Sequence, residues 1–417
     1  MELALEGGQP VRRKPFSTWP AFGDAEEKSL LEVLRSGSWG GYNEKVNQFE
    51  ESFAALHKIR YAISCANGTV ALEVALRALG IQCGDEIIVP PFTFVSTATS
   101  VLLCHGVPVF VDIDPATFNI SPSAVEAAIT PRTRAIIAVH FGGHPADMDA
   151  LTGIAKRHGV ALIEDAAHAH AATWRDTPVG NFGSAATFSF QAFKLVTSGE
   201  GGVIVTNSSE LAEKIWGYCN QGRRRGSGWF EHFTLGSNYR ITGFQAALLC
   251  AQLEKLPEQI RTRTENVRYL RERLREFPGI TIAEDDPRVG RHPHYLVTLR
   301  YDQRGVGGVE RDLFIQALQA EGIPAQPTYP YPLYRNPLFR KDALPPCRCG
   351  AWEASQEYDS LFLPESERIC QDGIWLEHYL FLGTRKDVDD VLAAFEKVRR
   401  FAPYLRDSQT ARSQAQK

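Results

Sequence analysis

Short apolar runs alternate with amphipathic segments from residue 61 to residue 206. The runs are rich in β-branched and aromatic side chains, which predicts seven strands: Tyr61–Ser64, Glu86–Val89, Val107–Asp112, Ala135–His140, Val160–Asp165, Thr187–Phe190 and Gly202–Thr206. The segments between them with helical spacing are Thr69–Leu79, Thr97–Cys104, Pro122–Ile129 and Met148–His158. Strands that alternate with helices predict a mostly parallel sheet covered on both faces.

The C-terminal half has a different pattern, which predicts a smaller α+β domain. Its predicted elements are a long helix at Thr242–Phe277 that Pro257 would kink or split, a strand at His294–Arg300 and helices at Val309–Glu321 and Arg385–Phe401. We therefore divide the chain into a large domain at 1–255, a small domain at 256–405 and a polar, disordered tail at 406–417. The first about 25 residues are expected to pack against the small domain.

Composition favours a globular enzyme with a small-molecule substrate. Of the 417 residues, 44% are hydrophobic and 23% are charged, and the net charge of -4 gives no basic surface for nucleic acid or an anionic membrane. The N-terminus lacks the apolar run of a secretory signal, and the longest uncharged stretch, Ile87–Cys104, is interrupted by Pro90 and Pro91. We expect a soluble, cytoplasmic protein.

The eight cysteines are too sparse for a disulfide scaffold. Those in apolar contexts, Cys83 among them, are expected to be reduced and to pack as small hydrophobic side chains. Cys347 and Cys349 lie one residue apart, a spacing that suits zinc poorly.

Lys194 stands between a predicted strand and a Gly-rich loop in the sequence TFSFQAFKLVTSGEGG. From Ser184 to Gly199 no acidic residue is present to pair with it, although an ordinary solvated lysine remains the alternative. Desolvation lowers the pKa of an amine and makes it a nucleophile that can form a Schiff base with an aldehyde. This chemistry suggests pyridoxal phosphate (PLP).

Asp165 stands at the end of a predicted strand, in the sequence VALIEDAAHAHAA. A carboxylate there can pair with the protonated pyridine nitrogen of PLP, which keeps the ring able to accept electrons; a helix cap or turn is the alternative. His168 follows within reach of the ring or its phenolic oxygen. Zinc binding by His168 and His170 fits no common ligand spacing, so we expect no metal site.

A phosphate requires backbone amides at the start of a helix, together with hydroxyl donors. Gly68 and Thr69 open a helical run directly after a strand, and Ser189 can supply a further hydroxyl. A turn with a purely conformational role is the alternative for the glycine. Phe92 and Phe94, in PPFTFVST, are candidates for stacking on the cofactor ring or for the core.

These segments, in this order, resemble the DegT/DnrJ/EryC1/StrS family of PLP-dependent sugar aminotransferases, from Trp19 to Gly383. The motifs that carry the resemblance are NGTVALEVAL, VPPFTFVSTAT, PVFVDIDPATFNI, EDAAHAHAATW, ATFSFQAFKLVTSGEGG and GSNYRITGFQAALLCAQL. The resemblance implies an α/β protein of fold-type I, with a mostly parallel seven-stranded sheet in its large domain. It also implies a homodimer with active sites at the subunit interface.

By the same resemblance, Lys194 would form the Schiff base, Asp165 would hold the pyridine nitrogen and His168 would contact the phenolic oxygen. Lys194 would then remove the α-proton of the amino donor. Two half-reactions, with pyridoxamine phosphate between them, would give ping-pong kinetics.

The resemblance also assigns residues to binding. Gly68, Thr69 and Ser189 would hold the phosphate together with Asn238 of the other subunit, and Phe94 would stack on the ring with Phe92 as second choice. His378 of IWLEHYLFLG and Phe92 would contact substrate. A surface histidine is the alternative for His378.

The implied activity is the transfer of an amino group from glutamine or glutamate to a ketosugar or ketocyclitol, in the biosynthesis of aminosugars, aminocyclitols or related antibiotics. The alternatives are an enzyme like 3-amino-5-hydroxybenzoate synthase, a catalytically silent sensor and a metal-dependent hydrolase. Within the family, the chain most resembles the branch near the scyllo-inosose aminotransferases and 3-amino-5-hydroxybenzoate synthase. Departures from that branch at Ala192, Phe193 and the basic run Arg223–Arg225 leave the acceptor open.

Overall fold

A seven-stranded sheet forms the centre of the larger part of the molecule. The computed structural model describes residues 2–283, 285–340, 343 and 358–415, with side chains as far as residue 405. The strands are β1 Tyr61–Cys65, β2 Glu86–Val89, β3 Val107–Phe110, β4 Thr133–Val139, β5 Ala161–Asp165, β6 Thr173–Trp174, β7 Thr177–Pro178, β8 Ala185–Ser189, β9 Gly202–Thr206, β10 Ile280–Ile282, β11 Val289–Arg291, β12 Leu296–Tyr301, β13 Gln326–Pro327 and β14 Gly373–Glu377. The α-helices are α1 Asp24–Ser36, α2 Glu44–His57, α3 Gly68–Ala78, α4 Ser96–Leu103, α5 Pro122–Ala128, α6 Met148–His158, α7 Ser209–Cys219, α8 Gly243–Leu274, α9 Arg311–Ala320, α10 Pro364–Asp372 and α11 Arg385–Ala415.

The large sheet has the strand order β1-β9-β8-β5-β4-β2-β3. Neighbouring strands from β8 to β3 are parallel, and β9 runs antiparallel to both of its neighbours. β2, β3, β8 and β9 are buried along their whole length, as expected for strands covered on both faces. The α/β fold and all seven predicted strands are confirmed.

The C-terminal part contains a four-stranded sheet with the order β10-β12-β14-β13. An apolar cluster joins this sheet to the helices beside it; Leu299 of β12, Phe314 of α9, Leu376 of β14 and Phe395 of α11 are all fully buried in it. The α+β pattern predicted for this part is therefore confirmed.

The long helix α8 connects the two sheets. Of the two predicted effects of Pro257, a kink or a split, the split is wrong, because α8 continues through the proline from Gly243 to Leu274; the kink stays a prediction. Side chains on both sides of the proline are buried, and this packing holds the helix together. Leu249 of α8 packs with the large sheet and Leu270 with the small one, so we propose that the division between the domains at residues 255 and 256 lies within this helix.

The N-terminal strap, residues 3–19, lies along the C-terminal part. Leu3 is buried in the apolar cluster of the small sheet. The Glu321 carboxylate accepts hydrogen bonds from the backbone amides of Ala4 and Val11, both at 2.9 Å. The strap thus runs from the small sheet towards the large one, where it ends at Trp19.

Further expectations concerned cysteines, the tail and membranes. Cys65, Cys104 and Cys219 are buried free thiols, but Cys83 is disulfide-bonded, so the expectation of a reduced thiol at that position is wrong. Cys347, Cys349 and the side chains of the tail at 406–417 lie outside the described residues.

Among the described helices, none has the length and apolar character needed to cross a membrane. The cytoplasmic location stays a prediction.

Candidate active site

The candidate residues gather where the parallel strands of the large sheet end. Asp165 is the last residue of β5 and Ser189 the last of β8, and these two strands are neighbours. Gly68 begins α3 shortly after the end of β1. Because parallel strands bring their carboxyl ends to one edge, residues more than a hundred positions apart meet there.

Lys194 lies in the loop between β8 and β9, beside the aromatic ring of Tyr295. Its Nζ is 4.6 Å from the centre of that ring. Desolvation lowers the pKa of Lys194 from 10.5 to about 8, and the Asp165 carboxylate opposes this shift. About one Lys194 amine in ten is therefore neutral and nucleophilic at pH 7, far more than for an ordinary lysine.

The Asp165 carboxylate is buried and hydrogen-bonded. Its Oδ2 accepts a hydrogen bond from Oγ1 of Thr97 at 2.9 Å, and its Oδ1 accepts one from the Ala167 amide at 3.2 Å. Thr97 Oγ1 is in turn 3.0 Å from Oγ1 of Thr93. Burial raises the pKa of Asp165, while the Thr97 hydrogen bond lowers it. The threonine pair thus favours the ionised carboxylate that a pyridinium nitrogen requires.

His168 forms part of an aromatic wall next to Lys194. Its ring stacks on Tyr295, with 4.3 Å between ring centres, and its buried Nδ1 has no hydrogen-bond partner among the described residues. Burial, reinforced by the charge of Lys194, lowers the pKa of His168 well below the usual value. The imidazole is consequently neutral and able to donate one hydrogen bond.

The start of α3 has the geometry of an anion site. The Asn67 side chain caps the helix by accepting a hydrogen bond from the Val70 amide, and the amides at the start of a helix have no intrahelical partner. Gly68 packs so closely on Ser189 that a Cβ at position 68 would lie 2.8 Å from Ser189 Cβ. Thr69 Oγ1 is 2.6 Å from Ser96 Oγ. Amides and hydroxyls therefore converge at this point.

The other predicted residues occupy different environments. Phe94 is 58% exposed near this edge, whereas Phe92 is 1% exposed and packs on Phe141 in an apolar cluster. Asn238 is exposed and lies beyond α7, where it pairs with Asn220 in an isolated bridge. The contacts of Phe92 with Phe141 and of Asn238 with Asn220 are thus made with residues other than Lys194.

His378 is buried rather than on the surface. Its ring is 2% exposed, and its Nε2 lies 3.0 Å from the backbone carbonyl oxygen of Phe193. The substrate contact expected from the resemblance remains untested.

Sequence reasoning missed Thr97, Tyr295 and Trp19 in this site. Thr97 follows Phe94 closely in a recognised motif, so a hydroxyl able to reach the end of β5 was a usable signal. Tyr295 directly precedes β12 of the small sheet and Trp19 lies in the N-terminal strap, and no local pattern connects either residue with Lys194.

A metal-dependent hydrolase would use His140, His144, His168 and His170, but His140 and His144 are held by other groups. His140 Nε2 lies 3.2 Å from the buried Glu164 carboxylate, and its Nδ1 accepts a hydrogen bond from the Ala146 amide. Elsewhere, Asp285, His292 and His294 bring ligand atoms within 4.8 Å of one another. The Arg271 guanidinium hydrogen-bonds to both oxygens of Asp285, so a cation already neutralises this group.

Comparison with known proteins places the site in context. The model of the DegT/DnrJ/EryC1/StrS aminotransferase family matches residues 20–396. A Streptoalloteichus tenebrarius protein, provisionally named an L-glutamine:3-amino-2,3-dideoxy-scyllo-inosose aminotransferase, is 43% identical over 97% of this chain and 99% of its own. The 3-amino-5-hydroxybenzoate synthase of Amycolatopsis mediterranei is 39% identical over 89% of this chain and 95% of its own.

Solved structures show the same similarity. The crystal structure of 3-amino-5-hydroxybenzoic acid synthase has a TM-score of 0.83 and 36% identity, and covers 93% of this chain and 99% of its own. DesI in the presence of its TDP-sugar product also has a TM-score of 0.83, with 31% identity and 99% coverage of both chains.

Proposed function

The chain belongs to the DegT/DnrJ/EryC1/StrS aminotransferase family, and we propose that this enzyme uses PLP to transfer an amino group from glutamine to a ketocyclitol of the inosose type. The observation that carries the proposal is that Lys194, whose pKa is lowered to about 8, lies in the loop after β8, at the sheet edge where Asp165 ends β5. The start of α3 packs on Ser189, the last residue of β8, at the same edge. A phosphorylated pyridine aldehyde has an aldehyde for the lysine amine, a pyridine nitrogen for the Asp165 carboxylate and a phosphate for the start of α3.

The residues present fit PLP chemically. When bound, PLP supplies an aldehyde that captures amines and a ring that accepts electrons from the substrate α-carbon. We assign the phosphate to Gly68, Thr69 and Ser189, whose amides and hydroxyls converge, and the pyridine nitrogen to Asp165. Phe94, exposed near the same edge, is assigned to the face of the ring.

Lys194 is the proton carrier in this proposal. A lysine pKa of about 8 lies close to neutral pH, which suits a group that must both accept a proton and return it. Asp165 has to remain ionised during the reaction, and the Thr97 hydroxyl favours that state. His168, neutral and with an unpartnered Nδ1, is assigned to the phenolic oxygen of the cofactor.

We further propose that the enzyme is a homodimer whose partner completes each site. The loop between α7 and α8 exposes large apolar side chains: Trp229 at 58%, Phe230 at 87% and Leu235 at 84%. Such a surface favours burial against a second subunit. Asn238 lies in the same loop, so dimerisation would carry its side chain to the partner's phosphate site.

The names of the relatives support the choice of donor and acceptor. An L-glutamine:2-deoxy-scyllo-inosose aminotransferase from Micromonospora echinospora is 38% identical over 95% of this chain. The similarity to 3-amino-5-hydroxybenzoate synthase makes that activity the second candidate. We favour the ketocyclitol acceptor because the most similar relative given above is named for an inosose.

Absorbance spectra of the purified protein test this proposal. The wild-type protein with PLP should show a visible band that glutamine converts to the pyridoxamine form, and Lys194→Ala should lack the lysine-dependent band. Mass spectrometry with 2-deoxy-scyllo-inosose should then detect an aminated cyclitol. A colourless protein after PLP addition would overturn the cofactor assignment, and formation of 3-amino-5-hydroxybenzoate instead would favour the second candidate.

A further inference from the structure

Two side chains from distant parts of the sequence hold the backbone directly before Lys194. The indole Nε1 of Trp19 donates a hydrogen bond to the carbonyl oxygen of Ala192 at 3.0 Å. The imidazole Nε2 of His378 lies 3.0 Å from the carbonyl oxygen of Phe193. The two rings contact each other edge to face, with 4.5 Å between their centres. We refer to Trp19 and His378 as the carbonyl clamp.

The clamp completes the fixation of a loop that no regular strand or helix supports. The backbone amide of Lys194 donates to the carbonyl oxygen of Gln191 at 2.8 Å, which closes a tight turn. After the lysine, Leu195 and Val196 are buried at 1% and 0% exposure. Lys194 is therefore held on its C-terminal side by apolar packing and on its N-terminal side by the carbonyl clamp.

The hydrogen-bonding state of His378 is defined by its surroundings. Burial, followed by the nearby charge of Arg263, lowers the pKa of His378 to about 3, so the ring is neutral near neutral pH. A neutral ring that meets a carbonyl oxygen through Nε2 must carry its proton there. Nδ1 is buried and has no hydrogen-bond partner in the described part of the chain, which agrees with a bare acceptor nitrogen.

The clamp is continuous with the aromatic wall of the site. The His378 ring is stacked near Tyr295, with 5.8 Å between ring centres, and Tyr295 contacts both His168 and Lys194 Nζ. A shift of Trp19 or His378 would thus move the backbone that precedes Lys194 and also the Tyr295 ring that contacts its amine.

We propose that Trp19 and His378 are positioning residues that fix the backbone before Lys194 and thereby set the direction in which its amine reaches the cofactor and the substrate. The role of Lys194 in this statement rests on the proposed function, but the clamp itself does not. The N-terminal strap and the 3-10 helix His378–Phe381 of the small domain thereby become parts of the catalytic apparatus without touching the reacting atoms.

The variants Trp19→Phe and His378→Leu each remove one donor, whereas His378→Gln retains an amide donor in a similar place. Trp39→Phe is the matched control, because the Trp39 indole also donates to a backbone carbonyl, that of Leu34, at 3.1 Å and away from Lys194. Each full-length protein is stripped of PLP. Hydrogen–deuterium exchange of residues 190–199 and the rate at which the lysine–PLP band forms are then measured.

In each of the two donor-removing variants, we expect the backbone amides of residues 190–199 to exchange hydrogen for deuterium about fivefold faster than in the wild type. The lysine–PLP band should form about fivefold more slowly. Both factors correspond to the loss of one hydrogen bond. His378→Gln and Trp39→Phe should resemble the wild type. Unchanged exchange and band formation in Trp19→Phe would overturn the proposal, as would a His378→Gln variant as impaired as His378→Leu. If His378→Leu fails to fold, Trp19→Phe decides.

The two proposals can fail separately. If the wild-type protein forms no band with PLP, the proposed function is wrong, and the exchange of residues 190–199 in the PLP-free variants still supports or overturns the clamp.

Discussion

Thr97 donates a hydrogen bond from its Oγ1 to Oδ2 of Asp165 across 2.9 Å. The two residues belong to different elements, since Thr97 lies in the first turn of α4 and Asp165 ends β5. The hydroxyl lowers the pKa of a carboxyl that burial raises. One threonine thus favours the charge on which the proposed pyridine contact depends.

Replacing Thr97 by valine should impair the enzyme most strongly at low pH. Loss of the donor raises the pKa of Asp165 further, so the carboxyl becomes neutral at a higher pH than in the wild type. We expect kcat/KM to fall about 10- to 100-fold, the usual cost of a hydrogen bond to a charged group, and the acidic limb of its pH profile to move upward. Thr97→Ser keeps the hydroxyl and serves as the control; an unmoved limb in Thr97→Val would contradict the interpretation.

Replacing Gly68 by alanine should weaken PLP binding. The new Cβ would lie 2.8 Å from Ser189 Cβ, so the start of α3 must move away from the proposed phosphate site. Crowding of this size costs about 1–3 kcal/mol, which corresponds to a rise in the PLP Kd of about 5- to 150-fold. Fluorescence titration of the PLP-free protein measures it. Gly40→Ala, where a Cβ would meet nothing within 4 Å, should bind PLP normally.

The stability of the PLP-free protein should depend on pH through Lys194. Its folded pKa of about 8 lies below the ordinary 10.5, so the unfolded chain binds more protons between these values. The desolvated, protonated lysine lowers the free energy of unfolding by its full amount below pH 8, and this destabilisation fades as the pH rises towards 10.5. Lys194→Met should therefore unfold at a higher temperature than the wild type at pH 7, with a difference that narrows above pH 8.

The exposed Lys386 provides the control for this experiment. Lys386→Met should change the melting temperature little and by a similar amount across the same pH range. A difference between Lys194→Met and the wild type that stays constant from pH 7 to above pH 10.5 would contradict the lowered pKa.

An aspartate in place of Phe230, in the exposed apolar loop between α7 and α8, should have two effects. It should dissociate the proposed dimer, and it should weaken cofactor binding. Phe230 is 87% exposed, and a charge at that position would have to be desolvated at a subunit interface. Sedimentation of Phe230→Asp should show monomers with a raised PLP Kd, because the partner's Asn238 is lost from the site. Tyr404→Asp, at 65% exposure on α11, is the control. A wild-type protein that sediments as a monomer would refute the dimer.

The sequence determined the fold and the outline of the candidate site, because both depend on local pattern. Seven apolar runs predicted the seven strands, since a doubly covered strand must be apolar along its length. Asp165 and Lys194 were identifiable because Asp165 ends one such run and Lys194 follows shortly after another. The recognised motifs gave the family, which the comparison confirmed.

Only the tertiary structure decided what surrounds Lys194. Tyr295 directly precedes β12 of the small sheet and Trp19 lies in the N-terminal strap, and the neighbours of these two residues in sequence give no reason for either to lie near Lys194. Pro257 was predicted to kink or split α8, and the split does not occur for the same kind of reason, since packing on both sides of the proline outweighs its local preference. Local pattern fixes the elements, whereas hydrogen bonds and ring contacts between distant segments depend on how those elements pack.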